Sequence, residues 1–155
     1  MREHHFHCTL TEVTAHEISE TEKKLIAHAK QALSTAYAPY SQFKVAAAVL
    51  LQNGEIVCGS NQENAAYPSG LCAERVAFFT AATLYPAVKI LAVAVTTAAH
   101  LHEPVAPCGA CRQVMVEYEV KQDSKIKLLL TNPAGKMYIS ESIENILPFV
   151  FRLDV

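Results

Sequence analysis

The chain lacks an excess of positive charge and lacks any long apolar run. Its 155 residues carry 13 lysines and arginines against 15 aspartates and glutamates, and the formal net charge is -2 at pH 7. A basic surface is what neutralises a phosphate backbone, so we expect no nucleic-acid partner. No stretch approaches the roughly 20 apolar residues of a membrane span, and none resembles a signal peptide. We therefore expect a cytoplasmic protein with no membrane partner.

Internal repeats, low-complexity stretches and linker-like segments are also missing from the sequence. A chain of this length corresponds to one ordinary domain that buries roughly two thirds of the surface of its unfolded form. The first 18 residues are polar and precede any periodic pattern. We interpret residues 1–18 as an N-terminal extension and residues 19–155 as the one folded domain, which carries any activity of the chain.

The cysteines do not come in an even number, which argues against a complete disulfide framework. They are Cys8, Cys58, Cys72, Cys108 and Cys111. In a reducing compartment, such a set points to metal binding or catalysis more than to redox pairing. The histidines at positions 4, 5 and 7 lie beside Cys8 and offer metal ligands, but they lie in a terminus that we expect to be mobile.

Hydrophobic periodicity predicts four helices and five strands. Ser19 and Glu22 have the spacing of a capping box, and Asn53-Gly54 is typical of a tight hairpin turn. The predicted helices cover residues 19–37, 72–84, 108–119 and 141–147, and the predicted strands cover residues 43–51, 55–59, 89–96, 125–131 and 136–140. The order α-β-β-α-β-α-β-β-α indicates a single three-layer α/β/α domain, with one mixed five-stranded sheet and helices on both faces.

The chemistry concentrates where two strands lead into two helices. Cys108 and Cys111 form a CxxC motif after Pro107, at a helix start where free N–H groups favour thiolates. Alone, this motif fits a redox pair or half of a structural zinc site. Cys72 begins another helix after an equivalent loop and supplies a third thiolate. No fourth cysteine or histidine stands at ligand spacing.

Three protein ligands leave one position of a tetrahedral zinc for water, whose pKa the ion lowers towards neutrality. Glu74 lies two residues after Cys72, and at a helix terminus both side chains can face one ion. We therefore predict that Glu74 is a general acid/base beside the metal. Two other interpretations stay open: a glutamate stabilised by the helix dipole, and a closed structural zinc with Cys8 or an N-terminal histidine as fourth ligand.

Five ordered blocks of sequence then identify a family. These blocks are AYAPYSQFKVAAAVL, SNQENAAYP, CAERVAFF, PCGACRQVMVEY and ILPFVF. The chain resembles the small homotetrameric zinc-dependent cytidine deaminases of the three-cysteine class, from about residue 19 to residue 151. The resemblance implies a cytidine deaminase-like fold and one Zn²⁺ per subunit. It also implies hydrolytic deamination of cytidine and 2'-deoxycytidine to the uridines, with release of ammonia, in pyrimidine salvage.

The same resemblance implies a role for each matching residue. It implies zinc ligation by Cys72, Cys108 and Cys111, and proton transfer by Glu74. Asn61 and Glu63 match the pair that binds the ribose 3'-hydroxyl, and Phe43 matches the aromatic residue near the pyrimidine. Tyr67, Ala73 and Phe151 match other substrate-binding positions, and Phe151 would reach a neighbouring subunit's site. Arg75 matches the arginine that hydrogen-bonds the ligating sulfurs, and Arg112 is a second cation whose role the sequence leaves open.

Other activities of the same fold remain open from the sequence. One is deamination of a different cytosine nucleoside, as in the blasticidin deaminases. The NxEN element and the arginine of CAER favour the cytidine deaminases over this alternative. Another is editing of polynucleotides, against which the charge balance speaks.

Overall fold

A six-stranded mixed sheet lies between one helix on one face and two helices on the other, in a computed structural model that describes residues 1–153. The α-helices are α1 (Glu20–Ala32), α2 (Ala73–Leu84) and α3 (Gly109–Gln122). The strands are β1 (Thr11–Val13), β2 (Val45–Leu51), β3 (Ile56–Ser60), β4 (Ile90–Thr97), β5 (Lys127–Thr131) and β6 (Met137–Ser140). Single 3₁₀ turns cover Leu33–Thr35, Tyr67–Ser69 and Glu144–Ile146. Among the described residues, no helix is both long and apolar enough to cross a membrane.

Alternation along the central strands produces the two apolar layers. In β4, Val93 and Val95 belong to the core under α2 and α3, whereas Ala92 and Ala94 belong to the core under α1. Successive side chains of a strand point to opposite faces, so one continuously apolar strand is covered on both sides. The predicted three-layer arrangement is therefore confirmed.

Two short sequence motifs adopt the local structures that the pattern predicts for them. Ser19 caps α1: its hydroxyl accepts from the Glu22 N–H at 3.2 Å, and the Glu22 carboxylate accepts from the Ser19 N–H at 2.7 Å. Gly54 has a φ of 87° in the turn between β2 and β3, a conformation that glycine adopts without steric cost. The capping box and the hairpin turn are therefore both present where the pattern predicts them.

The sheet topology brings two helix starts to the same edge. The strand order is β1-β6-β5-β4-β2-β3, and only β4 and β5 are parallel neighbours among the described strands. Because β2 is antiparallel to both β3 and β4, those two strands run in the same direction. Their carboxyl ends lead through loops to α2 and α3, so both helices begin at this edge of the sheet.

The sheet has six strands rather than the predicted five, because β1 pairs antiparallel with β6 at the sheet edge. This strand is three residues long and lies in the predicted N-terminal extension. It depends on pairing with a segment more than 120 residues away in the chain, with Thr11 opposite Ile139. Local periodicity carries no signal for such a strand, so the sequence did not predict it.

Two predicted helices are shorter in the structure. The helix predicted over residues 141–147 is a single 3₁₀ turn, Glu144–Ile146, that precedes Pro148. The first helix was predicted to end near Tyr37, but α1 ends at Ala32 and a 3₁₀ turn follows. There, the hydroxyls of Ser34 and Thr35 donate to backbone carbonyls three residues earlier, which tightens the chain away from the α-helical pattern.

Candidate active site

Three cysteine thiols converge where α2 and α3 begin. Cys72 is the N-cap of α2, Cys108 is the N-cap of α3, and Cys111 lies in the first turn of α3. Their sulfur atoms all lie within 4.8 Å of one another, and the sulfurs of Cys72 and Cys108 are 3.9 Å apart. The exposure falls from Cys108, which faces solvent, to Cys111, which is buried.

The environment of these sulfurs suits a divalent cation that prefers thiolates. A hydrogen bond from the Cys111 thiol, together with those from Arg75 and Cys108, lowers the pKa of Cys72 to about 5. The hydrogen bond to Cys72 and burial raise the pKa of Cys111 above its usual range. Three sulfurs at two helix N-termini fit zinc in its open, three-ligand form. In the part of the chain that the structure describes, Cys8 and the N-terminal histidines do not belong to this cluster.

Arg75 faces the sulfur cluster from the first turn of α2. One guanidinium nitrogen lies 3.8 Å from the Cys72 sulfur and donates a hydrogen bond to it. The same contact raises the pKa of Arg75 above its usual range. The Nε atom of Arg75 is buried and has no hydrogen-bond partner among the described residues. Negative charge on the Cys72 sulfur stabilises this half-buried cation.

Glu74 is the buried carboxyl group of the site, with 4% of its surface exposed. It lies in the first turn of α2, between Ala73 and Arg75. Burial raises the pKa of Glu74 above its usual range, and the neighbouring Cys72 thiolate raises it further. The structure thus places an acid next to the thiol cluster, as the sequence predicts, and its catalytic role stays a prediction.

A cleft of about 540 Å³ opens beside the thiol cluster. This volume lies in the range of sites that bind small molecules. Its lining residues include Ser41, Asn61, Glu63, Tyr67, Cys72 and Arg75. Four residues predicted from the sequence to contact metal or substrate therefore line one cleft together with Arg75.

Glu63 organises the turn that forms one wall of the cleft. Its carboxylate accepts from the backbone N–H groups of Tyr40 and Ser41, at 2.9 and 3.2 Å, and from the Ser41 hydroxyl. The Ser41 hydroxyl and the two backbone N–H groups lower the pKa of Glu63, so this carboxylate is ionised at neutral pH. An ionised carboxylate on this wall accepts hydrogen bonds and repels anions.

Asn61 uses its amide to fix the chain between the 3₁₀ turn and β2. Its Oδ1 atom accepts from the Val45 N–H at 2.9 Å, and its Nδ2 atom donates to the Phe43 carbonyl at 2.8 Å. An amide has two donors and two acceptor lone pairs, so one of each is left over for a ligand. Asn61 therefore has a positioning role in the structure in addition to its predicted contact with ribose.

The other predicted substrate residues divide into two groups. Phe43 is half-buried just before β2, Ala73 is fully buried as the first residue of α2, and Tyr67 is 76% exposed on the cleft wall. The rings of Tyr40 and Tyr67 pack edge to face with centroids 6.0 Å apart. Phe151 is different: it lies on a groove of α3 away from the cleft, and its carbonyl accepts from Gln113. Within one chain, Phe151 does not reach the thiol cluster's cleft.

Arg112 makes no hydrogen bond to a sulfur among the described residues. Its guanidinium donates to the carbonyls of Pro107 and Ile146, at 2.7 and 3.0 Å. It thereby fixes the loop before Cys108 against the C-terminal part of the chain. The role of Arg112, which the sequence left open, is therefore a structural contact with the backbone.

Sequence reasoning missed several residues of the cleft. Tyr40 and Ser41 carry the backbone N–H groups that Glu63 binds, and Gln62 and Leu71 close the loop with two mutual backbone hydrogen bonds of 2.9 Å. These residues lie in irregular segments, for which hydrophobic periodicity gives no prediction. The one signal for them is that Tyr40, Ser41 and Gln62 lie inside the sequence blocks that carry the family resemblance.

Comparisons with known proteins agree with this geometry. A family model of the cytidine and deoxycytidylate deaminase zinc-binding region matches residues 19–124. The cytidine deaminase of Sporosarcina psychrophila is 42% identical over 130 residues, which are 83% of this chain and 90% of that relative. The cytidine deaminase of Halalkalibacterium halodurans is 46% identical over 104 residues, covering 67% of this chain and 76% of that relative.

Solved structures give the same result for the fold. The crystal structure of cytidine deaminase from Burkholderia pseudomallei superposes with a TM-score of 0.74 at 40% identity, over 86% of this chain and 100% of that one. The cytidine deaminase of Mycobacterium tuberculosis superposes with a TM-score of 0.66 at 32% identity, over 85% and 98%. The sequence match, the shared fold and the three-cysteine cluster together show that this chain belongs to the zinc-dependent cytidine and deoxycytidylate deaminase family.

Proposed function

We propose that the protein hydrolyses the exocyclic amine of cytidine and 2'-deoxycytidine, producing the corresponding uridine and ammonia in pyrimidine salvage. The observation that carries this proposal is that three thiols converge beside a cleft of nucleoside size, which Cys72 lines, with the buried acid Glu74 in the same helix turn as Cys72. The relatives that the chain matches over most of its length are cytidine deaminases, which supports the same reaction.

The metal is assigned to Cys72, Cys108 and Cys111. Zinc, when bound there, supplies a Lewis acid that polarises the attacking water and makes it a nucleophile at neutral pH. Arg75 donates to the Cys72 sulfur at 3.8 Å and so reduces the negative charge of the three thiolates. With zinc bound, this donation would let the ion act as a stronger Lewis acid than three thiolates alone would allow.

Glu74 is the proton-transfer residue in this proposal. Its carboxylate takes a proton from the attacking water and delivers it to a ring nitrogen of the pyrimidine, and it then transfers the second proton to the leaving amine. A C–O bond forms at the carbon whose C–N bond breaks, and the products are the uridine and ammonia. Positioned acid/base catalysis of this kind contributes about 10² to 10⁴ in rate.

The cleft wall favours a nucleoside over a nucleotide. Glu63 is ionised there and faces the space where the sugar would lie, and we assign it and Asn61 to the ribose 3'-hydroxyl. Among the described residues that line the cleft, Arg75 is the cation, and it is turned towards Cys72. A 5'-phosphate would therefore add negative charge to a cleft that already holds an ionised carboxylate and offers it no cation besides Arg75 among the described lining residues, which costs binding free energy.

The remaining contacts to the base are assigned to aromatic and small residues. Phe43 and Tyr67 provide aromatic surface, and the buried Ala73 leaves room for the pyrimidine beside α2. Phe151 lies outside the cleft of its own chain, so the proposal has it complete the site of a neighbouring subunit in a homotetramer. We further propose a cytoplasmic location, since all five cysteines are free thiols.

The test is an ultraviolet absorbance assay of cytidine, 2'-deoxycytidine and deoxycytidylate with the wild type and Glu74→Gln, with zinc measured in both. We expect the two nucleosides to be turned over and deoxycytidylate to be a poor substrate. We expect Glu74→Gln to keep its zinc and to lose about 10² to 10⁴ in turnover. A zinc-loaded wild type that leaves both nucleosides unchanged would overturn the proposed substrate, and full activity in the variant would overturn the role of Glu74.

A further inference from the structure

The first part of the chain runs along the last part as an antiparallel strap. We define the strap as residues 6–13 and the C-terminal segment as residues 147–151. At the base of the strap, β1 pairs with β6, with Val13 opposite Met137 and Thr11 opposite Ile139. The contacts continue beyond the sheet in the same antiparallel sense, first at Thr9 and then at Phe6.

The second contact of the strap is a pair of hydrogen bonds between its backbone and one side chain. The Thr9 N–H donates to Oδ1 of Asn145 at 3.1 Å, and Nδ2 of Asn145 donates to the Thr9 carbonyl at 2.7 Å. The second Nδ2 hydrogen of Asn145 is used by the Ser140 hydroxyl, also at 2.7 Å. Asn145 thus joins the strap to the turn that leads from β6 into the C-terminal segment.

The third contact lies at Phe149, where the backbone is in an unfavourable conformation. Its φ of 58° places this residue in the left-handed region, which costs a residue other than glycine free energy. The Phe149 ring packs edge to face on the Phe6 ring with centroids 5.7 Å apart. The next residue, Val150, packs against the core under α2 and α3, and Phe151 follows on the surface.

On the side away from the strap, α3 holds the C-terminal segment in place. Gln113 donates to the carbonyl of Phe151 at 3.0 Å, and Arg112 donates to the carbonyl of Ile146 at 3.0 Å. Both residues directly follow Cys111 in the first turn and a half of α3. The path of the C-terminal segment is therefore set between the metal-binding helix on one side and the strap on the other.

We propose that the strap is a positioning element for Phe151: through Phe6 and Thr9 it fixes the bend at Phe149 and so orients Phe151 for the site of a neighbouring subunit. Because the role of Phe151 belongs to the proposed function, this inference rests on that proposal. Among the described residues, no hydrogen bond or aromatic pair joins the strap to a residue that lines the cleft, so the strap acts through the C-terminal segment and not on the chemistry.

The test compares Phe6→Ala with His7→Ala, an exposed neighbour in the strap, in the zinc-loaded protein. Loss of one aromatic pair predicts faster hydrogen exchange at residues 147–151 in Phe6→Ala and a rise of about two- to tenfold in the KM for cytidine, with kcat and zinc content kept. His7→Ala is expected to match the wild type in all four quantities. Phe6→Tyr, which keeps an aromatic ring, is expected to restore both exchange and KM.

A double variant tests whether the strap acts through Phe151. In a Phe151→Ala background, Phe6→Ala is expected to add nothing to KM, because the residue that the strap orients is gone. Unchanged exchange at residues 147–151 in Phe6→Ala would overturn the inference, whether or not the protein deaminates cytidine. Unchanged KM in an active Phe6→Ala variant, or loss of zinc and kcat together with KM, would also overturn it. A wild type without activity on either nucleoside would instead overturn the proposed function.

Discussion

Arg75 is the residue whose position is best explained by a metal-thiolate cluster. Its guanidinium lies 3.8 Å from the Cys72 sulfur, and its buried Nε atom has no hydrogen-bond partner among the described residues. Burial of an unpaired donor on a cation is costly. Negative charge on the Cys72 sulfur, which the same guanidinium contacts, offsets part of that cost, and metal ligation keeps such a sulfur ionised.

We therefore predict that Arg75→Ala keeps its fold but loses about 10- to 100-fold in zinc affinity or in turnover, as is typical when a group that hydrogen-bonds a metal ligand is removed. Arg75→Lys keeps the charge but not the planar guanidinium, so its zinc affinity and turnover should lie between those of the wild type and Arg75→Ala. Thermal unfolding measures whether the fold is kept, zinc titration measures the zinc affinity, and the cytidine assay measures turnover. Arg2→Ala, which removes an exposed arginine, is the matched control. An Arg75→Ala protein with wild-type zinc affinity and turnover would remove Arg75 from the mechanism.

At the scale of single residues, the sequence predicted the metal-binding residues better than it predicted the residues of the cleft. Cys72, Cys108 and Cys111 were predictable because a rare residue type recurs at two helix starts, and the structure brings their sulfurs together. The hydrogen bonds of Asn61 to the backbone of Phe43 and Val45 were not predictable. They depend on the approach of two chain segments in space, and an Asn in a loop has no pattern that indicates its partner.

At the scale of elements, the position of α2 depends on one glycine in β3. A β-carbon placed on Gly59 would lie 2.4 Å from the backbone nitrogen of Ala77 and 2.6 Å from the carbonyl of Ala73. These are backbone atoms of α2 and cannot rotate away. Gly59 thus allows the helix that carries Cys72 and Glu74 to pack directly on the sheet.

We predict that Gly59→Ala displaces the start of α2, lowers the free energy of unfolding by about 1–3 kcal/mol and weakens zinc binding. Gly109→Ala is the matched control, because a β-carbon there meets nothing within 4 Å, and its effect on stability should be small. Chemical denaturation and zinc titration of both variants provide the measurement. Equal stability and zinc affinity in Gly59→Ala and the wild type would show that α2 does not need this close approach.

A second element is organised by the buried carboxylate of Glu119 in α3. Its two oxygens accept from the N–H groups of Ile126, Ile143 and Glu144 and from the Ser142 hydroxyl, at 2.7 to 3.1 Å. These bonds replace a regular helix after β6 and explain why only a 3₁₀ turn forms there. No motif in the sequence marked Glu119, since most of its partners are backbone N–H groups and most lie more than 20 residues away in the chain.

Glu119→Gln is predicted to destabilise the protein by about 2 kcal/mol or more, because the amide nitrogen would face the Glu144 N–H and leave that donor unpaired. Glu117→Gln, an exposed change on the same helix, should alter stability by less than about 0.5 kcal/mol. Denaturant midpoints of the two variants give the comparison. A loss of the same size in both variants would mean that the buried network contributes nothing specific.

At the scale of the whole molecule, a single chain leaves Phe151 outside the cleft that it is proposed to complete. The exposed Phe79 lines the same groove as Phe151 and is available for contact with another subunit. The proposed function therefore requires that one subunit supply Glu74 and another supply Phe151 to a shared site.

Subunit mixing tests that requirement. We predict that Phe151→Ala and Glu74→Gln proteins are each impaired, and that oligomers containing both exceed the summed activity of the two separate proteins. A Glu74→Gln subunit donates an intact Phe151 to the site of a Phe151→Ala subunit, which keeps its own Glu74. Native mass spectrometry verifies the mixture. Mixed oligomers without any recovery would contradict a shared site.

The central claim is that Cys72, Cys108 and Cys111 bind one zinc ion and leave its fourth position open. Zinc K-edge X-ray absorption of the purified wild type, with zinc quantified per chain, measures this directly. We predict one zinc ion per chain with three sulfur ligands at about 2.3 Å and one lighter oxygen or nitrogen ligand. Four sulfur ligands, or no zinc bound to sulfur, would contradict the account.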